Sequence, residues 1–381
     1  MKQIMTGLVT VLMLGLSFVP ATAQTQKPDL IVLIAIDQFG SQLFNKWKGN
    51  TSKGLKRIAH EGILYSNAYQ SHGITETCAG HSTLLTGKHP SHTGIVANEW
   101  YDTATGKNVY CVADARTTPA HNAQARKVGP ALLATDTLGD WLKAQQPKAR
   151  VVSISCKDRA SITMGGHHAD AVFWCEDNFG FTTFLLEGET SATKLAPVAD
   201  LNTKIQADAQ RVLPWTYVED ACRALEADYE LGGVTWHSKL PPEIPQKEGA
   251  PAAKVRPLHV MDPMTAQAAR DLVAHYQLGK RGVTDLLAVS FSATDFIGHG
   301  YGTQGPEMCD HMHRLDAVMG EFLSFLESLG PRVLVVVTGD HGGSDFPERL
   351  AMQGFASAKR VDRKTFLAGI NVELKTKLSL T

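Results

Sequence analysis

The sequence lacks an excess of either charge, a basic stripe, an internal repeat and, beyond its first residues, a long apolar run. Its 381 residues include 37 Lys and Arg and 38 Asp and Glu, which gives a formal net charge of −1. Without clustered basic residues the chain has no evident nucleic-acid surface, and without a second apolar run it has no membrane span after its first residues. The composition is that of an ordinary globular protein, so function has to be inferred from local motifs.

An apolar run opens the chain. Lys2 precedes "IMTGLVTVLMLGLSFVP", and the small residues "ATA" end at Ala23. A positive start, a short apolar core and small residues at its end are typical of a secretory signal peptide, and the run is short for a membrane anchor. The sequence therefore predicts that residues 1–23 are removed, leaving a periplasmic or secreted protein of residues 24–381.

Cysteine is scarce and scattered. In an exported protein some of the six cysteines pair, but their spacing matches no zinc ribbon and does not reveal the connectivity. They are Cys78, Cys111, Cys156, Cys175, Cys222 and Cys309.

Four apolar, β-branched segments alternate with helical patterns. The segments are "DLIVLIAID", "ARVVSISCKDR", "TDLLAVSFSATD" and "RVLVVVTGDHGG", and the helical patterns include "TSKGLKRIAHEG", "TDTLGDWLKAQQ" and "CDHMHRLDAVMGEFLSFLESLG". Continuous apolar strands are buried on both faces, which requires a parallel sheet covered by helices. The predicted fold is α/β, a three-layer sandwich with a mostly parallel central sheet.

Residues from about 178 to 262 lack this rhythm. Their second half, "VTWHSKLPPEIPQKEGAPAAKVRPLH", is rich in Pro, Lys and Glu. We expect an inserted surface subdomain that caps the domain and does not join the sheet.

Acidic and histidine residues follow the predicted strands where ligands of open α/β sheets bind. They are Asp37 after the first segment, Asp295 and His299 after the third, and Asp340 and His341 after the fourth. A single aspartate at a strand end is more often a helix cap or an ion-pair partner. Together, imidazole and carboxylate ligands suit zinc, and two neighbouring ions are a known device for phosphoryl transfer.

The stretch "TETCAGHSTLLTG", residues 75–87, places several hydroxyls before a helical run. Such hydroxyls either cap the helix or include a nucleophile held at its N-terminus. A threonine is a poor nucleophile unless a metal removes its proton, and a helix N-terminus stabilises both the alkoxide and a phosphate.

The motifs "IAID", "ETCAGHSTLLTGKHPSHTGIVANEWYD" and "DHGG" resemble the alkaline phosphatase superfamily, in the threonine-nucleophile branch that also contains the nucleotide pyrophosphatase/phosphodiesterases. The resemblance implies an alkaline-phosphatase-like fold and two zinc ions. Thr77, four residues before His81, would be the nucleophile, and Asn98 is the matching asparagine. Asp37, Thr77, Asp340 and His341 would hold one ion, and Asp295 and His299 the other. His81 would be structural. Cys78 would lend its backbone N–H to the oxyanion, while its thiol has no role.

The segment "SISCKDRASITMGGHHADAVFW" is similar to the bacterial phosphomonoesterase subgroup. There a Lys-x-Arg pair binds phosphoryl oxygens, which falls on Lys157 and Arg159. Two cations favour a monoester, because it carries one more negative charge than a diester. The other interpretation of "KDR" is a solvated loop. We expect His167 and His168 to pack near the Lys157 loop, and His311 and His313 to lie at the surface of their helix.

One feature departs from the resemblance. The family supplies a further histidine to the Asp295/His299 site far downstream, whereas no histidine follows His341 here. This suggests a chain incomplete at its C-terminus, with an impaired second zinc site. The predicted function is hydrolysis of small phosphate monoesters. The alternatives are a phosphodiesterase or nucleotide pyrophosphatase, and a non-catalytic relic that binds metal or phosphate.

Overall fold

The computed structural model describes residues 27–176, 180–208, 214–243, 258–330 and 332–379. The predicted signal peptide, residues 1–23, lies outside these ranges. The strands within them are β1 Leu30–Ile36, β2 Glu99–Asp102, β3 Lys107–Tyr110, β4 Thr118–Pro119, β5 Val151–Ser155, β6 Ala171–Glu176, β7 Gly180–Thr182, β8 Phe184–Leu185, β9 Ala227–Leu231, β10 Val234–Ser238, β11 Asp285–Phe291 and β12 Val333–Gly339. The α-helices are α1 Ser41–Trp47, α2 Gly54–Glu61, α3 Thr77–Thr86, α4 Pro90–Thr93, α5 Leu138–Gln145, α6 Asp158–Gly165, α7 Ser191–Leu195, α8 Ala199–Asp208, α9 Met261–His275, α10 Ala293–Tyr301, α11 Pro306–Ser328, α12 Pro347–Met352 and α13 Arg363–Leu378.

A mostly parallel sheet organises the domain. Its six strands follow the order β12–β1–β11–β5–β6–β7. The four apolar segments of the sequence are the neighbours β12, β1, β11 and β5, all mutually parallel, and β6 continues them. Only β7 runs antiparallel among these six strands. The predicted α/β fold with a mostly parallel sheet is confirmed.

Helices cover both faces of the sheet, because side chains alternate along each strand. On β1, Val32 and Ile34 belong to a core that includes Leu272 of α9 and Phe322 of α11. The intervening Leu33 and Ala35 belong to another core on the opposite face, which includes Leu85 of α3 and Met164 of α6. The three layers follow from this alternation.

The segment expected to cap the domain contributes to the sheet. β7, residues Gly180–Thr182, pairs antiparallel with β6, so the expectation that this segment stays outside the sheet is wrong for its first residues. A further part, β9 and β10, forms a separate antiparallel hairpin. The boundaries of an insertion at about 178–262 remain a prediction, and several of its residues lie outside the described ranges.

Three disulfides settle the pairing that the sequence left open. They join Cys78 to Cys111, Cys156 to Cys175 and Cys222 to Cys309. The sulfur of Cys78, expected to have no role, is therefore bridged.

Among the described residues, no helix combines the length and the apolar character needed to cross a bilayer.

Candidate active site

The register of the sheet brings three predicted ligands to one edge. Ile36 at the end of β1 aligns with Phe291 of β11 and with Gly339 of β12. Asp37 and Asp340 therefore leave the sheet at the same level, and α10, which begins two residues after β11, carries Asp295. All three carboxylates are buried, and such charges persist only next to cations or strong donors.

Lys157 lies between two of these carboxylates. It follows β5 as the N-cap of α6, and its Nζ is 2.7 Å from Asp37 Oδ2 and in contact with Asp295 Oδ2. The same Nζ donates to Thr77 Oγ1 at 3.3 Å. The sequence assigned Lys157 to phosphate binding. The structure also makes it the ammonium counter-ion of the acidic cluster.

The two histidines predicted as ligands lie beside the same carboxylates. His341 Nε2 is 3.3 Å from Asp37 Oδ1, 3.6 Å from Asp340 Oδ2 and 3.8 Å from Asp295 Oδ1. Burial alone would lower the pKa of His341, but the hydrogen bond with Asp37 and the charge of Asp340 raise it to about 9. His299 Nε2 is 3.2 Å from Asp295 Oδ1, and this contact raises the pKa of His299. Both shifts report a strongly negative environment.

Thr77 is the first residue of α3, and its side chain is buried. A neighbouring histidine fixes this turn. His81, completely buried, places Nδ1 2.9 Å from the Thr77 carbonyl oxygen and 3.0 Å from Asp340 Oδ2, with Nε2 2.9 Å from Ser290 Oγ. The geometry thus links the backbone of Thr77 to the carboxylate of Asp340.

Asn98 and Arg159 line the same cavity as Thr77, His299 and His341, a space of about 1270 Å³. The Cys78 N–H, expected to serve an oxyanion, instead donates to Asn98 Oδ1 at 2.9 Å. Every predicted site residue therefore lies at this cavity or in the carboxylate cluster below it.

The residues present fit divalent metal ions. Asp37 is fully buried, and among the described residues its carboxylate oxygens face nitrogen atoms, Lys157 Nζ at 2.7 Å and His341 Nε2 at 3.3 Å. Asp340 Oδ2 faces His81 Nδ1 at 3.0 Å in the same way. Two sets of ligand atoms lie within 4.8 Å of one another, Asp37–Asp295–His341 and Asp37–His81–Asp340. Carboxylate and imidazole together suit zinc. The first set combines Asp37 and His341, which were predicted to hold one ion, with Asp295, which was predicted to hold the other.

Gln38 belongs to the site and was missed in the sequence. Its backbone N–H donates to Asp340 Oδ1 at 3.0 Å, and its Nε2 donates to Asp295 Oδ1 at 3.1 Å. It adopts a φ of 63°, which is uncommon for a residue other than glycine. Its only sequence signal was its place directly after Asp37.

Two expectations about other histidines are wrong. His167 follows the C-terminal end of α6, opposite to Lys157, where its N–H donates to Asp140 at 3.0 Å. His311 is buried in α11, with Nε2 2.8 Å from Thr294 Oγ1, and is not a surface residue. His311 has charged neighbours in the sequence, Asp310 and Arg314, but the first turns of α11 are buried on several sides.

Comparison with known proteins gives a consistent result. The profile of the type I phosphodiesterase / nucleotide pyrophosphatase family matches residues 31–376. The chain is 36% identical over 360 residues to alkaline phosphatase PhoK of a Sphingomonas species, covering 93% of this chain and 62% of that protein. It is 38% identical over 338 residues to alkaline phosphatase PhoD of Zymomonas mobilis, covering 87% and 56%.

A solved structure agrees in fold. The crystal structure of wild-type alkaline phosphatase PafA matches with a TM-score of 0.78 and 26% identity, covering 92% of this chain and 69% of that one. The chain spans about three fifths of the length of PhoK and PhoD. With the family profile matched over most of its length, the chain belongs to the type I phosphodiesterase / nucleotide pyrophosphatase family.

Proposed function

We propose that the protein hydrolyses phosphate monoesters, with zinc as cofactor and Thr77 as nucleophile. The observation that carries this proposal is the position of Lys157, whose Nζ is 3.3 Å from Thr77 Oγ1 while it contacts Asp37 and Asp295. A hydroxyl, a buried cation and three buried carboxylates at one strand edge suit attack on a phosphoryl group. The names of the alkaline phosphatase relatives support the same reaction.

Asp37, Asp340 and His341 would hold one ion together with the Thr77 oxygen, and Asp295 and His299 would contribute to the second. When bound, zinc would lower the pKa of the threonine hydroxyl and neutralise phosphoryl oxygens. The chain's own residues do the rest. Lys157 stabilises the threonine alkoxide, and the N-terminus of α3 favours negative charge at the same place.

The reaction then has two displacements. Thr77 Oγ attacks phosphorus and the ester oxygen departs, which leaves a phosphothreonine. Water attacks that phosphorus and releases inorganic phosphate, restoring the hydroxyl. Arg159 and Lys157 would bind the non-bridging oxygens, which carry more charge in a monoester than in a diester.

A phosphodiesterase is the second candidate, favoured by the description of the family. It would require Lys157 and Arg159 to be remote from the nucleophile. Lys157 contacts Thr77, and Arg159 lines the cavity that Thr77 also lines, so monoesters fit better.

We propose export to the periplasm or the exterior as well. Three disulfides support an oxidising compartment, since such bonds are rare in the cytosol.

Substitution of Thr77 tests the central step. Thr77→Ala should abolish monoester turnover and the trapping of labelled phosphate on the protein, whereas Thr77→Ser should retain part of both. Thr83→Ala, on the same helix α3, is the matched control and should remain active. Label found on Ser82 or Thr83 would contradict the assignment, and a zinc-loaded wild-type chain without turnover would support a metal-binding relic.

A further inference from the structure

The β2–β3 hairpin begins and ends in the chain next to residues of the site. Asn98 directly precedes β2, and Tyr110 is the last residue of β3, where it pairs with Glu99. The hairpin is short, two strands of four residues, and an isolated hairpin of this kind is marginally stable. Whatever fixes it also fixes the residues at its ends.

Asn98 is held at three points. Its N–H donates to Glu76 Oε2 at 2.7 Å, its Oδ1 accepts from the Cys78 N–H at 2.9 Å, and its carbonyl accepts from the Cys111 N–H at 3.0 Å. Because Oδ1 is engaged, the group that Asn98 can offer to a ligand in the cavity is its Nδ2 donor. A phosphoryl oxygen is the complementary acceptor.

Tyr110 lies against the second donor. Its hydroxyl donates to Asp158 Oδ1 at 2.6 Å and also interacts with the guanidinium of Arg159. Burial, and then the charge of Asp158, raises the pKa of Tyr110, so the hydroxyl stays protonated. The Nε of Arg159 is buried without a hydrogen-bond partner among the described residues, and Arg159 lines the cavity. A buried N–H of this kind requires an acceptor such as a phosphoryl oxygen.

A disulfide joins this hairpin to the nucleophile. Cys78 follows Thr77 directly, Cys111 follows Tyr110 directly, and the two sulfurs are bonded. Both cysteines are buried. The bond therefore links the first turn of α3 to the end of the hairpin. The two cysteines that it joins are also the residues whose backbone N–H groups donate to Asn98.

We propose that the Cys78–Cys111 disulfide positions Asn98 and Arg159 around Thr77, so that phosphate binding depends on this bond while metal binding does not. The proposal rests on the proposed function for its substrate class. The disulfide and Tyr110 act as positioning residues, since neither touches the reacting atoms. The metal ligands Asp37, Asp295 and Asp340 are held instead by the sheet and by Gln38 and His81.

The test compares two disulfide deletions. Cys78→Ala/Cys111→Ala should raise the Kd for inorganic phosphate, measured by calorimetry on the zinc-loaded protein, by about tenfold or more, because it loosens two strong donors. KM for a monoester should rise in parallel, and the zinc content should not change. The matched control, Cys222→Ala/Cys309→Ala, removes a disulfide between α11 and residues 220–225 and should leave the phosphate Kd within about twofold.

Non-additivity makes the test specific. In an Asn98→Ala/Arg159→Ala background the same disulfide deletion should raise the phosphate Kd by less than about twofold, because its targets are gone. An equal loss in both backgrounds, or loss of zinc together with phosphate, would overturn the proposal.

A milder variant covers a failure of the double mutant to fold. Tyr110→Phe keeps the disulfide and the ring and removes only the hydroxyl, and it should weaken phosphate binding in the wild type but not in Arg159→Ala. Wild-type protein that binds phosphate without hydrolysing monoesters would refute the proposed function alone. Wild-type protein that binds no phosphate, or a Tyr110→Phe effect of equal size in both backgrounds, would refute the positioning role.

Discussion

At the scale of single residues, Lys157 connects the carboxylate cluster to the hydroxyl of Thr77. One buried ammonium contacts the carboxylates of Asp37 and Asp295 and the hydroxyl of Thr77. Removing one member of a buried charge cluster leaves the others uncompensated, which costs more than the pair itself contributes. Arg159 lines the cavity wall, and its Nε, which has no hydrogen-bond partner in the described part of the chain, can donate to a ligand.

The selectivity for monoesters is therefore expected to depend on both cations. Lys157→Ala/Arg159→Ala should lower kcat/KM for a monoester by about 10²–10⁴-fold, from two charge-assisted contacts of roughly 1.5–3 kcal/mol each. Diester hydrolysis should fall by a smaller factor, because it loses the support of Lys157 to Thr77 but not the contacts to the extra phosphoryl charge. The exposed Arg116→Ala variant serves as control. Equal losses on both substrate classes would show that the pair does not discriminate.

Two titratable residues lie behind the site, against α10. His311 Nε2 is 4.0 Å from Asp262 Oδ2, and Asp262 accepts from the Ala293 N–H at 3.1 Å. Burial, with Arg314 adding to it, lowers the pKa of His311 to about 3, and burial raises the pKa of Asp262 to about 7. The two groups contribute opposite dependences on pH.

His311→Gln separates them. The unfolded chain binds a proton at His311 below its ordinary pKa of about 6.5, whereas the folded protein does so only near pH 3, so this residue makes the wild type less stable as pH falls between these values. The stability advantage of wild type over His311→Gln should shrink by about 1.4 kcal/mol per pH unit from pH 6 to pH 4, measured by urea unfolding. Parallel curves for the two proteins would contradict the assigned protonation, and His92→Gln is the exposed-histidine control.

Sequence reasoning was strong for residues whose position follows a strand end and weak for residues defined by packing. Asp37, Asp340 and Lys157 follow the apolar runs directly, so their proximity could be predicted. Gln38 and His311 could not be assigned in the same way. Their environments depend on contacts across 302 residues for the first and on how several elements pack around α11 for the second.

At the scale of elements, helix α3, which carries the proposed nucleophile Thr77, packs very close to the loop after β12. A Cβ added at Gly80 of α3 would lie 2.6 Å from the carbonyl oxygen of Asp340 and 2.9 Å from its Cβ. Real Cβ atoms do not approach so closely, so a larger residue must move the helix or the loop. Gly80 thus sets the distance between Thr77 and the proposed metal ligand Asp340.

Gly80→Ala should therefore damage catalysis as well as stability. Overpacking costs about 1–3 kcal/mol, while a shift of roughly 1 Å in a reacting group lowers kcat/KM by about 10²-fold. Gly369→Ala in α13 is the matched control, because nothing lies within 4 Å of its added Cβ and it should stabilise the helix by about 0.5–1 kcal/mol. A fully active Gly80→Ala protein would show that this close packing is not needed for catalysis.

The element pattern shows where prediction succeeds and where it ends. β1, β5, β11 and β12 are long, apolar and β-branched, so both their type and their parallel pairing could be predicted. β7 has three residues, Gly180–Thr182, inside a stretch without periodicity. Its place in the sheet depends on pairing with β6 and on the Phe181 N–H, which donates to Asn202 Oδ1 at 2.7 Å. The local sequence of β7 does not predict these contacts.

At the scale of the whole molecule, the acidic cluster links metal binding to stability. Asp37, Asp295 and Asp340 are brought together only when β1, β11 and β12 are in register. An ion that binds this arrangement and not the unfolded chain stabilises the fold by mass action, by about 2.7 kcal/mol at a hundredfold excess over Kd.

Zinc should therefore raise the unfolding temperature in a concentration-dependent way, and a chelator should lower it. Asp37→Asn should lose most of this response, because Asp37 belongs to both candidate ligand sets. Asp114→Asn removes a buried carboxylate that pairs with Arg116, outside those sets, and should retain it. Differential scanning calorimetry of the three proteins checks this, and an unchanged response in Asp37→Asn would remove Asp37 from the metal site.

The order of strands in the sheet has a kinetic consequence. Neighbours in space are remote along the chain: Gln38 N–H meets Asp340 across 302 residues, and Lys157 meets Asp295 across 138. Such long loops close slowly, and parallel pairing of this kind forms late in folding. During refolding we therefore expect compaction and helix content to recover first. Any hydrolysis of monoesters should return later, when the distant strands have paired.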